Sequence, residues 1–437
     1  MSRESDRGFA RMRWKRAFLN QQRYLEQLWL KYLTKAVQDK KFYQFDLWIE
    51  KEFKLNKHFG KRDRQWYSEC LYSGLRFARL ALALWQKEQA LIGADKSFEI
   101  FFSSEELAKQ LVTVEPGFFW RVIEQRVFLE EEIDLDLRDK ILKIKKQKSL
   151  ENLLIFQGVG PEWSLLIKKR IERSSWTDED LDQFLVFLSQ KAPLWIRING
   201  ENHLTYVLNE FQKETVEVVD EDGCALLVQT QKKINQLDLF LKGKFEIQDW
   251  ASQQILSLFK VDPFSEVWDA CAGGGGKSVQ IASQLKGGRL FFSDIRENKL
   301  KNTSERLKKL GFKSFESFVW NGESSLKNKF FDLIVVDAPC SSSGVLRRNP
   351  ELRLKIFPDD LFFLKELQLK ILQSACHSLK SGGYILYGTC SLFVEENEEV
   401  VESFLNKNKD FILVSMKLHG SPKKNSDTTF SALFKKI

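Results

Sequence analysis

The C-terminal half of the chain repeats one pattern, in which a short apolar run is followed by a loop and then by a segment of helical spacing. The strand candidates are Val267–Asp269, Arg289–Asp294, Ser314–Val319, Leu333–Asp337 and Gly383–Tyr387, and the helix candidates are Lys277–Leu285, Glu297–Leu310 and Asp360–Leu379. Alternating strands and helices give a parallel sheet with helices on both faces. The pattern therefore predicts an α/β domain over residues 245–437, and the apolar runs Phe411–Val414 and Phe430–Phe434 predict a terminal strand pair that places one strand antiparallel.

The first part of the chain has a different pattern. Residues 1–150 have few Gly or Pro breaks and no strand-like alternation, which predicts an all-α domain. The helical pattern continues to about residue 190, and Pro193–Asn199 then alternates like a strand. We therefore expect linker helices and a small α+β module over residues 151–244. Three such segments agree with the length of 437 residues.

Composition limits the setting in which the protein works. The formal net charge of +8 fits a polyanionic partner without proving one. No apolar run is long enough to span a membrane, and the charged N-terminus lacks the apolar core of a signal peptide. The six cysteines are scattered without a CxxC pair and the four histidines lie far apart, so we expect a reducing cytoplasm and no metal site.

A glycine-rich segment, Asp269–Lys277, follows the first strand of the α/β region and precedes its first helix. A phosphate-binding P-loop fails here because Cys271 stands where the first glycine must be, and the dinucleotide fingerprint fails because neither register ends in Gly or Ala. S-adenosylmethionine is the third candidate ligand, since its amino acid part sits over such a loop. Asp294, which ends the next strand, is then placed to accept hydrogen bonds from ribose hydroxyls.

Two cysteines follow the apolar runs of the last two parallel strands. Cys340 lies in the segment Asp337–Gly344, and Cys390 lies between Thr389 and Ser391. Because the carboxyl ends of parallel strands meet at one edge, both thiols are expected beside the glycine loop. The other cysteines, Cys70, Cys224 and Cys376, are interpreted as small core residues, and Cys271 as packing beside the cofactor.

A thiol beside a methyl donor has a specific use in pyrimidine chemistry. C5 of a pyrimidine is too weak a nucleophile to take a methyl group directly, but a thiolate that adds to C6 makes C5 enamine-like. C5 then attacks the sulfonium methyl, the C5 proton leaves and the thiolate is expelled. The carboxyl of Asp337 is close enough in sequence to Cys340 to hydrogen-bond the amino group and ring nitrogen of cytosine.

Taken together, these motifs resemble the Nop2/Sun family of RNA cytosine-C5 methyltransferases, and within it the bacterial small-subunit ribosomal RNA methyltransferase B group. The resemblance covers residues 244–437. Its motifs are Gln248–Gln253, Cys271–Lys277, Asp294, Asp337–Ser341, Gly344–Pro350, Thr389–Ser391 and Glu395–Asn397. Pro193–Asn199 resembles the small module that precedes the catalytic domain in this family, and Gly60–Arg64 resembles its NusB-type RNA-binding domain.

The resemblance implies a fold and residue roles. The catalytic domain would be Rossmann-like, of the class I methyltransferase type. Cys390 would be the nucleophile that adds to C6, and Cys340 would assist release of the enzyme from the methylated base. The cofactor would be lined by Cys271, Ala272, Gly273, Gly274, Gly275, Gly276, Lys277, Asp294, Asn321 and Asp337. RNA would be contacted by Arg347, Arg348, Arg62 and Arg64, although the cluster at 57–64 also fits a solvated helical face.

The implied protein is a cytoplasmic monomer that methylates C5 of a cytosine in 16S ribosomal RNA, with transfer RNA as an open alternative. Three positions depart from the family pattern: Gly273–Gly274 replaces Ala-Pro, Asn321 replaces an Asp, and Thr428–Thr429 replaces Gly-Phe. Two further hypotheses stay open. One is an RNA-binding ribosome assembly factor with an inactive methyltransferase domain, and the other is a nucleotide-dependent enzyme, which the broken P-loop disfavours.

Overall fold

The computed structural model describes residues 21–89, 101, 103–131, 133–200, 203–324, 326 and 330–437. Two compact units divide these residues. The helical unit contains the described residues of Met1–Glu172 together with Leu188–Gln190 and Leu346–Asp359. The sheet unit contains Arg173–Phe187, Lys191–Val345 and Asp360–Ile437. Residues 1–20 and 90–100 of the predicted helical domain lie outside the described residues.

The helical unit confirms the prediction of a helical N-terminal region for the residues that are described. Its helices are α1 (21–38), α2 (Phe45–Leu55), α3 (Lys61–Glu88), α4 (Ser104–Val112), α5 (Pro116–Val127), α6 (Leu135–Lys146) and α7 (Leu150–Phe156), and α8 (Ser164–Ser174) begins in it. The side chains of Leu71, Leu75, Ala78 and Leu82 recur every three or four residues along α3, which places them on one face, and all are buried. Ser103 caps α4 by accepting a hydrogen bond from the Glu106 amide at 3.2 Å.

The helical unit also includes a segment that the sequence places in the 245–437 domain. Within Leu346–Asp359, Leu354 and Phe357 belong to the buried core of the helical unit. Trp163 donates its indole N–H to the carbonyl of Ile356 at 3.1 Å. The division by contacts therefore crosses the predicted boundary at this segment, for which neither apolar periodicity nor turn residues gave a signal.

The sheet unit begins with helix α9 (Asp178–Ser189) and a small four-stranded sheet. Its strands are β1 (Leu194–Ile198), β2 (Glu217–Asp222), β3 (Ala225–Gln229) and β4 (Phe245–Ile247), in the order β2-β3-β1-β4, and its helices are α10 (Leu204–Lys213) and α11 (Asp238–Leu241). All neighbouring strands are antiparallel. The predicted α+β module is thus present, and β4 carries it three residues beyond the expected end at residue 244.

A seven-stranded sheet forms the larger part of the sheet unit. Its strands are β5 (Glu266–Asp269), β6 (Arg289–Asp294), β7 (Phe315–Val319), β8 (Phe331–Asp337), β9 (Leu379–Thr389), β10 (Phe411–Gly420) and β11 (Thr428–Lys436). The order is β10-β11-β9-β8-β5-β6-β7. Strands β5 to β9 pair in parallel and β11 pairs antiparallel with β9, which confirms the predicted α/β class and the antiparallel ending.

Both faces of this sheet are covered, because alternate residues of its strands enter two separate cores. On β8, Leu333 and Val335 face one core, whereas Ile334 and Val336 face the other. The helices of this part are α12 (Trp250–Gln254), α13 (Gly276–Ala282), α14 (Glu297–Lys309), α15 (Asp360–Cys376) and α16 (Glu398–Lys407). Burial on both faces explains the continuous apolar runs in the sequence.

Several predicted bounds are wrong. Helix α13 ends at Ala282 and not at Leu285, and β9 covers Leu379–Thr389 where the sequence predicts Gly383–Tyr387. The sequence pattern extends the last long helix to Leu379, but α15 ends at Cys376 and Leu379 is already the first residue of β9. Leu379 pairs with Phe331 of β8, so sheet pairing decides its conformation. None of the helices among the described residues is long and apolar enough to cross a membrane.

Candidate active site

The carboxyl ends of four parallel strands meet at one edge of the large sheet. Strands β5, β6 and β8 end in Asp269, Asp294 and Asp337, and β9 ends at Thr389, directly before Cys390. The chain reverses its direction of travel across the sheet between β5 and β8, and ligands of open α/β sheets bind at such a switch point. The structure therefore brings the glycine loop and both thiol segments to this edge.

The glycine loop turns sharply between β5 and α13. Gly273 and Gly275 have φ angles of +53° and +82°, a backbone conformation that favours glycine. A Cβ on Gly275 would also lie 2.7 Å from the hydroxyl oxygen of Thr303 on α14. Arg306, one turn further along α14, donates to the Gly274 carbonyl and to Glu246 Oε2 of β4. The loop is thus held from α14 and needs glycine where it touches that helix.

A pocket of about 620 Å³ opens beside the loop. It is lined by Ala270, Cys271, Ala272, Gly273, Gly274, Gly276, Lys277, Asp294, Ile295, Arg296, Trp320, Asn321, Gly322, Asp337, Pro339, Leu367 and Ile371. Every predicted cofactor residue except Gly275 is in this lining. The sequence analysis missed its apolar members Ile295, Trp320, Leu367 and Ile371, which come from three different segments and share no local motif.

Asp294 is one of the two carboxylates in the pocket lining, with Asp337. Its Oδ2 accepts from the Gly273 amide at 3.0 Å, and its Oδ1 accepts from the amide and the Nε of Arg296, both at 2.9 Å. Burial opposes ionisation, but the hydrogen bonds from Arg296 and Gly273 lower the pKa of Asp294 overall. The pocket therefore presents a charged acceptor at the end of β6, as the sequence predicted.

Asp269 lies beneath the loop and is fully buried. Burial raises its pKa to about 7, against the opposing effect of a hydrogen bond from Ser278, whose hydroxyl lies 2.5 Å from Oδ2. The negative charge of Asp337 raises it further. The sequence pattern indicates only that Asp269 begins the loop segment, whereas in the structure Asp269 anchors the first turn of α13 through Ser278.

Lys277 connects the loop to the end of β8. Its Nζ lies 3.0 Å from Asp337 Oδ2 and donates to Ser252 Oγ at 2.9 Å. The Lys277 side chain is 9% exposed and that of Asp337 is 30% exposed, so the pair is covered on one side and open to the pocket on the other. Ser252 belongs to the Gln248–Gln253 motif of the sequence analysis, which is thereby tied to the loop.

The two thiols are in contact. Cys340 Sγ and Cys390 Sγ are 3.3 Å apart, and both cysteines are free and partly exposed. The loops that carry them are joined by a hydrogen bond from the Gly344 amide to the Cys390 carbonyl at 2.9 Å. A Cβ on Gly344 would lie 2.0 Å from the Thr428 carbonyl oxygen, so glycine is required at this crossing. The predicted meeting of the two thiols is therefore observed.

The pKa values of the two thiols are shifted in opposite directions. The hydrogen bond from Cys340 lowers the pKa of Cys390, with further help from Ser342 and Lys277, although burial and Asp337 oppose it. The same hydrogen bond raises the pKa of Cys340, and burial and Glu396 add to this. Cys390 is therefore the thiol that ionises first, and a thiolate is the nucleophilic form.

The remaining cysteines lie in other surroundings. Cys70 and Cys376 are buried in the two main cores, where burial raises the pKa of each thiol. Cys271 lines the pocket, but burial raises its pKa well above the ordinary range. Cys224 is partly exposed in the small module. The environments of Cys70, Cys376 and Cys271 fit the core and packing interpretations, whereas Cys224 is only partly buried against the core of the small module.

The four arginines predicted to contact RNA all lie in the helical unit. Arg62 is exposed, whereas Arg64 donates from Nε to the Phe59 carbonyl at 2.9 Å. Arg347 is only 7% exposed, so its guanidinium does not face solvent, and Arg348 is partly buried. An RNA contact stays a prediction for all four, with Arg62 the most accessible.

The surroundings of the other two departures from the family pattern, Asn321 and Thr428–Thr429, are also defined. Asn321 lines the pocket, and its Oδ1 accepts from the Glu323 amide at 3.1 Å. Thr429 donates its hydroxyl to the Ala251 carbonyl at 2.7 Å and is buried at the start of β11. The threonine thus fastens the last strand to α12, next to Ser252.

Comparison with known proteins extends these observations. Residues 257–434 match the family described as 16S rRNA methyltransferase RsmB/F. Ribosomal RNA small subunit methyltransferase B of Vibrio cholerae serotype O1 (strain ATCC 39315 / El Tor Inaba N16961) is 31% identical over 267 residues, which are 58% of this chain and 58% of that protein. The match thus spans less than two thirds of the relative's length.

Solved structures share the fold. The crystal structure of the protein named PH0851 has a TM-score of 0.66 at 21% identity and covers 94% of this chain and 98% of its own. A methyltransferase homolog protein from Pyrococcus horikoshii has a TM-score of 0.51 at 23% identity and covers 63% of this chain and 99% of its own. At these identities the likeness concerns the fold alone.

Proposed function

We propose that this chain, whose residues 257–434 match the RsmB/F methyltransferase family, transfers the methyl group of S-adenosylmethionine to C5 of a cytosine in RNA. The resemblance drawn from the motifs is confirmed at the level of the family. The observation that carries the proposal is the 3.3 Å contact between Cys340 and Cys390 beside a pocket at the sheet edge. A nucleotide-dependent enzyme has no comparable use for two thiols in contact.

The residues of the pocket fit S-adenosylmethionine. Its volume of about 620 Å³ lies within the usual range for cofactor sites, about 300–1,000 Å³. Ile295, which is 65% exposed, and Trp320 supply apolar surface for an adenine ring. Asp294 would accept from the ribose hydroxyls, and the glycine loop would face the amino acid part. When bound, the cofactor supplies an electrophilic methyl group on a sulfonium.

Cys390 acts first in the proposed reaction. Its sulfur adds as a thiolate to C6 of the target cytosine, and the electrons of the C5–C6 double bond become available at C5 for bond formation with the methyl carbon. The hydrogen bond from Cys340 that lowers the pKa of Cys390 supports this order of roles. The difference in pKa distinguishes the two thiols, whereas in the sequence both simply follow the apolar run of a strand.

Asp337 and Lys277 flank the reacting base in this proposal. Asp337 Oδ2 already accepts from Lys277, so the carboxylate is fixed in place while its other oxygen is available to the amino group of cytosine. The positive charge of Lys277 lowers the pKa of Cys390 and so favours its thiolate. These two side chains therefore orient the base and support the attacking sulfur.

Cys340 takes part in release. The C5 proton must leave to a base, and the electrons of the C5–H bond then re-form the C5–C6 double bond and expel the Cys390 sulfur. Cys340 can accept that proton once its own has left, and the raised pKa of this thiol makes its thiolate a stronger base. The C5 proton thereby replaces the proton that Cys340 gave to solvent, so Cys340 is again a thiol and Cys390 again a thiolate, as before the reaction.

The proposed substrate is 16S ribosomal RNA. The name of the matched family and that of the Vibrio relative support this choice, and the net charge of +8 fits a polyanion. The target base must leave its stack to reach Cys390, so an unpaired cytosine is favoured. The cytoplasmic location and the monomeric state stay predictions.

The test is transfer of a labelled methyl group from S-adenosylmethionine to unmodified 16S ribosomal RNA, followed by bisulfite sequencing of the product. We expect a stoichiometric label at one cytosine that becomes resistant to deamination. Cofactor binding by calorimetry without any methyl incorporation into ribosomal or transfer RNA would instead favour the inactive assembly factor. Label at another atom of the base would contradict the thiol mechanism.

A further inference from the structure

Glu396 is a fully buried carboxylate that the sequence analysis left without a role. Four donors surround it. Its Oε1 accepts from the Ser341 amide at 2.7 Å and from Gln368 Nε2 at 3.0 Å, and its Oε2 accepts from the hydroxyls of Ser391 at 2.5 Å and of Ser341. A buried carboxylate is costly unless its oxygens are satisfied in this way. So complete a set of donors indicates a site that is built around the charge.

The contacts of Glu396 link the segments that carry the two thiols. Ser341 directly follows Cys340, and Ser391 directly follows Cys390, so one carboxylate holds the residue after each cysteine. Gln368 adds helix α15, and it also donates to the Pro339 carbonyl at 3.0 Å. Ser343 joins the same two segments directly, because its Oγ accepts from the Leu392 amide at 2.8 Å and lies 3.1 Å from Ser391 Oγ.

The neighbour of Glu396 strengthens the same arrangement. Asn397 accepts from the Thr389 hydroxyl at 2.6 Å and donates from Nδ2 to the Ser391 carbonyl at 2.9 Å. The hydroxyl of Tyr387 donates to the backbone carbonyl of Glu396 at 2.6 Å. The backbone of Glu396 and the side chain of Asn397 are therefore fixed by residues on both sides of Cys390.

We propose that Glu396 is a positioning residue, which keeps the sulfur atoms of Cys340 and Cys390 in contact and makes Cys390 the nucleophile of the pair. This inference rests on the proposed function for its purpose, because a fixed pair of unequal thiols is what the two-cysteine reaction needs. Glu396 touches neither the pocket lining nor the sulfur atoms through a hydrogen bond, so it acts through Ser341 and Ser391.

Electrostatics supports the geometric argument. The charged or ionisable groups that face Cys340 are Cys390 and Glu396, and both raise its pKa. Those that face Cys390 are Cys340, Asp337 and Lys277. Glu396 thus adds a negative charge that raises the pKa of Cys340. Its removal is expected to make the two thiols more alike.

The experiment uses Glu396→Gln in the full chain, because glutamine keeps the size and one acceptor oxygen but removes the charge. Thiols are alkylated with iodoacetamide over a range of pH, and peptides containing Cys340 and Cys390 are quantified by mass spectrometry. In the native protein we expect Cys390 to react before Cys340. In the variant the preference should fall, and methyl transfer should slow by up to about 100-fold if the sulfur atoms are displaced by about 1 Å.

A matched control is Glu402→Gln, the same change at a 54% exposed carboxylate of α16 that pairs with Arg173 of α8. It should leave the alkylation preference and methyl transfer unchanged. Glu396→Asp keeps the charge on a shorter side chain that reaches its partners less well. It should therefore restore the alkylation preference for Cys390 more fully than the rate of methyl transfer. A purely structural role would lower the melting temperature of Glu396→Gln without changing the ratio of Cys390 to Cys340 labelling, and that result would overturn the proposal.

The readout also separates this inference from the proposed function, because alkylation needs neither RNA nor cofactor. A native protein with strong Cys390 preference but no methyl transfer would leave the positioning role intact and remove the RNA reaction. If Glu396→Gln does not fold, Ser391→Ala and Ser341→Ala each delete one hydroxyl donor. Each should weaken the preference partly, and an unchanged ratio in both would contradict the proposal.

Discussion

Both units of the protein bury charged side chains, but they do so in different ways. In the helical unit, Arg79 and Glu162 form an ion pair whose side chains are 1% and 2% exposed. In the sheet unit, Lys277 and Asp337 form a pair whose carboxylate is 30% exposed and lines the pocket. The first pair leaves Arg79 Nε and Nη1 and Glu162 Oε2 without a hydrogen-bond partner among the described residues. The second pair also acts on a neighbouring thiol. A buried charged pair therefore indicates a functional site only when it also lines a pocket, where its charge can act on a reacting group.

The thiol pair gives the sharpest test of this contrast. Cys390→Ala removes the sulfur that forms the bond to C6. Without that bond, C5 of cytosine is too weak a nucleophile to accept the methyl group. We expect methyl transfer to fall to background, a loss on the order of 10⁴-fold or more. Cofactor affinity, measured by calorimetry, should stay unchanged, because Cys390 does not line the pocket. If Cys390→Ala kept its activity while Cys340→Ala lost it, the two roles would be reversed.

Cys340→Ala should fail at a later step. Addition and methyl transfer remain possible, but proton removal is slow, so the Cys390–C6 bond accumulates. We expect a covalent protein–RNA complex, seen as a slow band on a denaturing gel, and a loss of turnover of about 10²–10⁴-fold. The double variant Cys340→Ala/Cys390→Ala is the control and should form no such band. A band that persists in the double variant would show that another group forms the bond.

How far the sequence predicts these features depends on how local they are. Strand β6 is found at Arg289–Asp294 as predicted, because apolar residues in a strand covered on both faces form an unbroken run. The meeting of Cys340 and Cys390 was predictable, since each follows such a run and strand ends share one edge. Glu396 was not, because its partners Ser341 and Gln368 are 55 and 28 residues away, and a single sequence does not reveal such pairs.

Partners that are distant in sequence also explain the predictions that were wrong. The end of α15 at Cys376 and the placement of Leu346–Asp359 with the helical unit are both decided by distant partners. Local spacing favours a longer helix in the first case and gives no signal in the second. Ile295 and Trp320 were missed for a related reason, since a pocket wall needs only shape and apolar surface, and neither leaves a motif.

The ion pair of the helical unit should affect stability alone. Arg79→Met leaves the Glu162 carboxylate buried without its partner, which is expected to cost about 3–5 kcal/mol of unfolding free energy. The double variant Arg79→Met/Glu162→Met removes both charges and should recover most of that loss. Chemical denaturation measures both, and cofactor affinity should not change in either. A change in cofactor affinity at equal stability would contradict the contrast between the two units.

Lys277 should act on pH dependence. The pKa of Cys390 is lowered in part by Lys277, so its thiolate forms at lower pH than that of an ordinary cysteine. Methyl transfer is therefore expected to begin at a correspondingly lower pH. Lys277→Met removes that positive charge, so the pKa of Cys390 rises and the ascending limb of the pH–rate profile moves to higher pH. The pH dependence of Cys390 alkylation gives the same reading without cofactor. Lys286→Met, an exposed lysine beyond the end of α13, is the control and should not move the profile.

The smallest expected effect concerns Arg62 and Arg64, which the sequence treats alike and the structure separates. Arg64 donates to the Phe59 carbonyl and lies 6.0 Å from the centre of the Phe53 ring, so Arg64→Ala should lower stability by about 1 kcal/mol. Arg62 is exposed, and Arg62→Ala should leave stability unchanged. If the helical unit contacts RNA through this face, Arg62→Ala weakens binding uniformly across sequences and reduces the salt dependence by about one charge. An unchanged salt dependence would leave the cluster as a solvated helix face and confine RNA recognition to other residues.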